Sequence, residues 1–140
     1  MERMVVGYVF DEGFYHVVLI KKSRPDWCRG LLNGVGGHIE EGETPVEAMR
    51  REFKEEAGVD IADWKEICKM EGENWSVDVF GAQHRSIYNI KTQTDEEIKI
   101  QELFYMCYVG NTVPNAKWLI EMCQENMTNP NTFKTATIKY

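Results

Sequence analysis

The chain contains no apolar run approaching the roughly 20 residues that a membrane-spanning helix needs. Its amino terminus, Met1-Glu2-Arg3-Met4-Val5-Val6-Gly7, lacks the apolar core and cleavage site of a signal peptide. A soluble, cytoplasmic protein with no membrane partner is therefore expected. Basic residues are also in short supply, with 16 Lys and Arg against 23 Asp and Glu, a net charge of -7 and a pI near 5.0. Wrapping long nucleic acid needs clustered cations on phosphates, so that class is disfavoured. A small phosphorylated ligand is not, because a bound metal can supply positive charge. Four cysteines stand at positions 28, 68, 107 and 123. None is at C-x-x-C spacing and no His-x-x-x-His accompanies them, so they read as small semi-buried thiols in a reducing cytosol rather than zinc ligands.

The 140 residues, 43% hydrophobic and 28% charged, have the mix of an ordinary globular domain. No repeat, low-complexity segment or linker divides them, so one domain over 1–140 is expected. Met4 to Phe10 and Tyr15 to Lys22 predict a hairpin around Asp11-Glu12-Gly13. Residues 23–38 read as a glycine-rich loop with a short strand. A helix is predicted over Pro45 to Ala57, with Thr44 as N-cap, Glu47 completing a T-x-x-E capping box and Gly58 as the stop. Its stripe of Val46, Met49, Phe53 and Ala57 should pack inward. Strands are predicted over Trp64–Met70, Trp75–Ala82, Ser86–Lys91 and Leu103–Val109, with Thr92–Lys99 a polar acidic connection. Asn115–Asn126 reads as a second helix, burying Ala116, Leu119, Ile120 and Cys123. The tail from Thr132 to Tyr140 adds a strand. This order predicts an α/β fold with helices packed on a mixed sheet.

On the first helix Glu52, Glu55 and Glu56 stand at i, i+3 and i+4, within an arc of roughly 100°. With no Lys or Arg among them, the three charges repel. Such an oxygen cluster suits a hard cation, Mg²⁺ above all, which would bridge to substrate phosphates and activate a water. The alternative is a plain solvated acidic face. Asn33-Gly34-Val35-Gly36-Gly37 just upstream favours the former, because glycines let the backbone approach a metal or phosphate closely.

Together these residues resemble the Nudix hydrolase signature, G-x5-E-x7-R-E-U-x-E-E-x-G-U with U a bulky apolar residue. Gly37, Glu43, Arg51, Glu52, Phe53, Glu55, Glu56, Gly58 and Val59 meet every specified position, and the strand order is similar to the family's α/β/α sandwich. The resemblance implies a Mg²⁺- or Mn²⁺-dependent hydrolase of nucleoside diphosphate compounds. It implies Glu55 and Glu56 as main metal ligands, the Gly36 carbonyl as a further one, and Glu52 as ligand or base. Arg51 would hold the carboxylates, and Glu43 would brace the loop against the helix. Gly37 and Gly58 serve the motif's shape. A carboxylate from a later loop often joins, and Glu96 is the first candidate, against a merely solvated loop acid. Homodimers are common among such relatives, so a homodimer is possible here.

Residues 27–37 resemble the approach loop of MutT-like members that hydrolyse nucleoside triphosphates, including oxidised purine forms. Asn33 could read a base edge through its amide or merely turn the loop. Trp27 or Trp118 could stack on a base or lie in the core. Arg24 and Lys22 could touch phosphates or serve as surface charge. His16, His38 and His84 lack ligand spacing. Competing readings are an enzyme for ADP-ribose, dinucleoside polyphosphates, dinucleotide cofactors or capped RNA ends, and a silent nucleotide sensor. The intact Arg51, Glu52, Glu55 and Glu56 set disfavours the last.

Overall fold

The structure, a computed structural model, describes residues 1–129, 131 and 135–140. Among them β1 (Glu2–Phe10) runs through the middle of a mixed sheet. It pairs parallel with β6 (Trp75–Gln83) from Glu2↔Trp75 to Phe10↔Gln83, and antiparallel with β2 (His16–Lys21) through the expected hairpin. The short β3 (Leu32–Asn33) and β7 (Ile98–Glu102) flank β2, while β4 (Val35–His38) pairs antiparallel with β1. On the far side β5 (Lys65–Glu71) joins β6, and β8 (Ala136–Lys139) joins β5 in parallel. The predicted tail strand is thus present over 136–139; Thr132 lies outside the described residues.

Alternation along the central strands divides the core into two layers, as a period of two requires. Val5, Val9, Val18 and Ile20 face α1 (Pro45–Ala57), meeting Ala48, Met49, Phe53 and Ala57. Val6, Tyr8, Phe10, Val17 and Leu19 face α2 (Ala116–Thr128), meeting Leu119, Ile120 and Cys123. This is the expected α/β/α sandwich. Phe53, fully buried and edge-on to Trp64 at 5.5 Å, anchors α1; burying such a ring contributes about 1.5–3 kcal/mol. The helix sits close because Gly7 has no side chain: a methyl there would lie 2.7 Å from both Met49 Sδ and Trp64 Cζ3. No helix among the described residues is long and apolar enough to cross a membrane.

The ends of α1 form as its sequence dictates. Thr44 Oγ1 accepts from the Glu47 N–H at 3.3 Å, Glu47 Oε1 accepts from the Thr44 N–H at 2.9 Å, and Gly58 closes the helix at φ 78°. The inward stripe differs in one residue. Val46, in the first turn, is 41% exposed, and Ala48 is buried instead alongside Met49 and Phe53. Two predicted strands are absent. Residues 86–91 form a single 3₁₀ turn, Ile87–Asn89, which puts Ile87 and Ile90 together in the core, a spacing of three that a strand cannot provide. Leu103–Tyr108 is also 3₁₀, with Phe104, Tyr105 and Tyr108 exposed and Met106 buried. The strand falls earlier, where Ile98 and Ile100 alternate within a stretch that reads as mostly polar connection.

Replacing Thr44 with Ala removes one cap and should cost about 1 kcal/mol, which for a domain of this size lowers Tm by roughly 3–5 °C. Gly7→Val should cost more, about 1–3 kcal/mol or above, through overpacking against Met49 and Trp64. Thermal unfolding followed by circular dichroism checks both, and equal stability of Gly7→Val and wild type would contradict the close α1 packing.

Candidate active site

The site begins with an arginine that gathers acids. Arg51 Nε and Nη2 donate to the two oxygens of Glu43 at 2.7 and 2.9 Å, a planar fork on a carboxylate. Nη2 also donates to the His38 carbonyl at 3.0 Å, tying the end of β4 to the helix. Nη1 donates to Glu52 Oε1 at 2.8 Å and reaches Glu55 Oε2 at 3.4 Å. The acidic face is therefore not without a cation: Arg51, one residue earlier, folds back over it. Its hydrogen bonds hold the Glu43 carboxyl below its ordinary range, and Glu43 in turn keeps Arg51 firmly charged. Glu43 accepts from the Glu40 N–H at 2.9 Å as well, so the loop before α1 is braced to it.

Glu52 lies against the backbone of Gly37, where any side chain would overlap its carboxylate. Gly36 immediately precedes it on β4. Burial pushes the Glu52 carboxyl above its usual range, with Arg51 opposing. Glu56 is more extreme. Its Oε2 is buried with no hydrogen-bond partner among the described residues. Burial, reinforced by Glu52, Glu96 and Glu55 and opposed by Lys22, pushes its pKa up to about 7.

A second segment closes the site from outside the helix. The Lys91 and Gln93 N–H groups donate to the Ala57 and Glu56 carbonyls, each at 3.2 Å, capping the end of α1. The Lys21 N–H holds the Glu97 carbonyl at 2.8 Å. This pins the loop that carries Glu96, which is only 2% exposed and so is no solvated acid. Glu96 Oε2 accepts from the Ser23 N–H at 2.6 Å and from its hydroxyl at 3.2 Å, and Lys22 Nζ donates to Oε1 at 3.1 Å. Burial raises the Glu96 pKa, but Ser23 and Lys22 outweigh it and hold the carboxyl charged below its ordinary range.

The donor chemistry fits a hard cation. All candidate side-chain ligands are carboxylates, and an unpartnered buried carboxylate oxygen is costly unless something binds it. Among the described residues no three acids, imidazoles or thiols are already drawn together at ligand spacing; a bound cation would have to draw the carboxylates in.

The remaining candidates divide. Lys22 stands in the site beside Glu96. Arg24 forms an exposed ion pair with Asp95 at 3.2 Å. Trp27 is 69% exposed, so it is not core, and Trp118 on α2 is also partly open. Asn33 Oδ1 accepts from the Tyr8 hydroxyl at 2.8 Å. His16 pairs with Asp11 at 2.9 Å, and His38 contributes its carbonyl rather than its ring. All four cysteines are free, and only Cys107 is exposed. Ser23 had no sequence signal as a partner of Glu96, sitting beside a lysine in a loop, and Tyr8 had none as a partner of Asn33, since it reads as core.

A family model for the NUDIX domain matches residues 1–119. No curated protein sequence matches the chain. Among solved structures, MutT from work on Aliivibrio salmonicida and Vibrio cholerae superposes with a TM-score of 0.72 at 18% identity, covering 89% of this chain and 98% of that one. The NUDIX domain of Shewanella oneidensis NrtR, solved with ADP ribose, gives 0.76 at 18% identity, over 89% and 87%. A MutT protein from Bacillus halodurans gives 0.66 at 19%, over 100% and 90%. At these identities the likeness is one of fold; the family match over most of the chain goes further, and the protein belongs to the NUDIX family, as a hydrolase acting on phosphoric anhydride bonds.

Proposed function

We propose that this enzyme is a Mg²⁺- or Mn²⁺-dependent pyrophosphohydrolase of (deoxy)nucleoside triphosphates, oxidised purine forms included, releasing a monophosphate and pyrophosphate. The observation that carries the metal dependence is the buried, unpartnered Oε2 of Glu56 among Glu52, Glu55 and Glu96. Glu55, Glu56, the Gly36 carbonyl and Glu52 would hold the cation, with Glu96 as a further ligand from the later loop. When bound, it would neutralise phosphate oxygens and lower the pKa of water. The protein's own groups do the rest. Glu52, with its raised proton affinity, is suited to accept the proton of the attacking water. Arg51 fixes the direction of Glu52 through its fork on Glu43. Lys22, and Arg24 at the rim, offer positive charge to the polyphosphate.

The triphosphate reading draws on the other end of the approach loop. Asn33 is half-buried with its amide oxygen taken by the Tyr8 hydroxyl and its amide nitrogen without a partner among the described residues, and Trp27 has an exposed ring that could stack on a base. The acidic balance supports a free nucleotide over long nucleic acid. A second reading, hydrolysis of ADP-ribose or a related compound, is favoured by the fold likeness to a domain solved with ADP ribose. A cytoplasmic location is in keeping with four free thiols. A panel of triphosphates, ADP-ribose and dinucleotides with product analysis separates the two readings.

Glu55→Gln and Glu56→Gln should each lower kcat roughly 100-fold or more while far-UV circular dichroism is unchanged, since Gln keeps the size and helix propensity but not the charge. Near wild-type turnover in both would refute the assignment. Arg51→Lys should also impair turnover, because a point charge cannot make the fork on Glu43; a full-activity Lys variant would reduce Arg51 to a simple counter-charge.

The pH dependence has a definite sign. Glu56 titrates near 7 in the folded chain against an ordinary 4.5. The folded state therefore keeps a proton that the unfolded chain has released, and stability falls as pH rises through that window. A cation restores what ionisation of Glu56 removes. The rise in Tm on adding Mg²⁺ should thus be larger at pH 8 than at pH 6, and Glu56→Gln should flatten that difference. A Tm increment that shrinks toward pH 8 would contradict the assignment.

A further inference from the structure

The two oxygens of Glu96 are held in different ways. Oε2 accepts from the backbone N–H of Ser23 at 2.6 Å and from its hydroxyl at 3.2 Å, which fills its lone pairs. Oε1 has one partner among the described residues, the ammonium of Lys22 at 3.1 Å. The Ser23 backbone is not free to leave, because the chain before it is pinned. The Lys21 N–H donates to the Glu97 carbonyl and the Lys22 N–H to the Leu31 carbonyl, each at 2.8 Å, and the Lys22 carbonyl accepts from the Gly30 N–H at 2.7 Å. The Lys22 ammonium, in contrast, ends a flexible four-carbon stem and moves without disturbing that backbone. One half of the carboxylate is built in, and the other half is exchangeable.

The exchangeable half lies beside the group that lacks a cation. Among the charges acting on Glu56, whose Oε2 is unpartnered, Lys22 favours the ionised form, while Glu52, Glu96 and Glu55 oppose it. A divalent cation among these acids and the Lys22 ammonium are like charges close together in a half-buried site, and each disfavours the other. Glu96 cannot turn Oε2 to a cation without losing both bonds from Ser23. It joins the cation through Oε1, and Lys22 gives way.

We propose that Lys22 is a placeholder cation, seated on Oε1 of Glu96 in the metal-free enzyme and displaced onto the polyphosphate of the substrate when the divalent cation binds. The inference rests on the metal-dependent reading above. It gives Lys22 opposite effects on the two ligands: it competes with the metal and it favours the phosphates. A residue that only held the loop in shape would favour both. The test is Mn²⁺ binding by isothermal titration calorimetry without nucleotide, then binding of inorganic pyrophosphate at saturating Mg²⁺. Lys22→Met should bind Mn²⁺ about tenfold more tightly, since no charge-assisted bond has to be broken first. It should bind pyrophosphate about tenfold more weakly. Glu96→Gln should weaken Mn²⁺ binding, and adding Lys22→Met to it should change that affinity about twofold or less, because the exchange runs through this carboxylate. A full gain persisting in the Glu96→Gln background would make Lys22 a charge acting through space and overturn the exchange. Should Lys22→Met fail to fold, wild-type crystals soaked in Mn²⁺ decide: Lys22 Nζ should have left Glu96 Oε1, and an intact pair beside bound Mn²⁺ overturns the inference. Unchanged or weaker Mn²⁺ binding by Lys22→Met, or unchanged pyrophosphate binding, overturns it and leaves the metal-dependent reading standing. No Mn²⁺ binding by the wild type overturns both.

Discussion

Burial of carboxylates beside one another is the constraint around which this site is arranged. Glu52, Glu55 and Glu56 share one face of α1, Glu52 and Glu56 half-buried and Glu55 exposed, and the buried Glu96 of the later loop adds its charge beside Glu56. In a low-dielectric site such charges cannot coexist without compensation. Three devices supply it. Arg51 is clamped by Glu43 and spans Glu52 and Glu55. Lys22 and the Ser23 backbone keep Glu96 ionised despite its burial. Glu56, which neither device satisfies fully, holds its proton up to about pH 7. One uncompensated group among several compensated ones is where a cation would act.

The scaffold keeps that strain local. Gly7 lets α1 press on β1 through Met49 and Trp64, and Phe53 seats the helix from below. Gly37 leaves the space that Glu52 occupies. The loop carrying Glu96 is tied to the end of α1 and to β2, so two distant segments of sequence face each other without depending on side-chain packing alone. A folded core that contributes stability elsewhere can thus carry a cluster that costs stability where it stands.

Much of this was legible in the residues. The spacing of Glu52, Glu55 and Glu56, the T-x-x-E cap and the glycine stop are local patterns, and local hydrogen bonding realises them almost unaided. The hairpin and the inner face of α2 follow from plain periodicity. What was not legible depends on partners far apart in the chain. That Glu96 is buried follows from Ser23 and Lys22, more than 70 residues away. Tyr8 reads as core because its ring is core; only its hydroxyl, meeting Asn33 Oδ1, makes a polar contact. Residues 103–108 misled through composition, since their aromatics face outward and the 3₁₀ turn exposes them.

The central claim is that the orphaned oxygen of Glu56 is a cation ligand. Anomalous diffraction from crystals grown with Mn²⁺ tests it most directly. The result expected is a strong peak about 2.1 Å from Glu56 Oε2, lost in Glu56→Gln. A peak that avoids α1 altogether, or one that persists unmoved in the Gln variant, would contradict it.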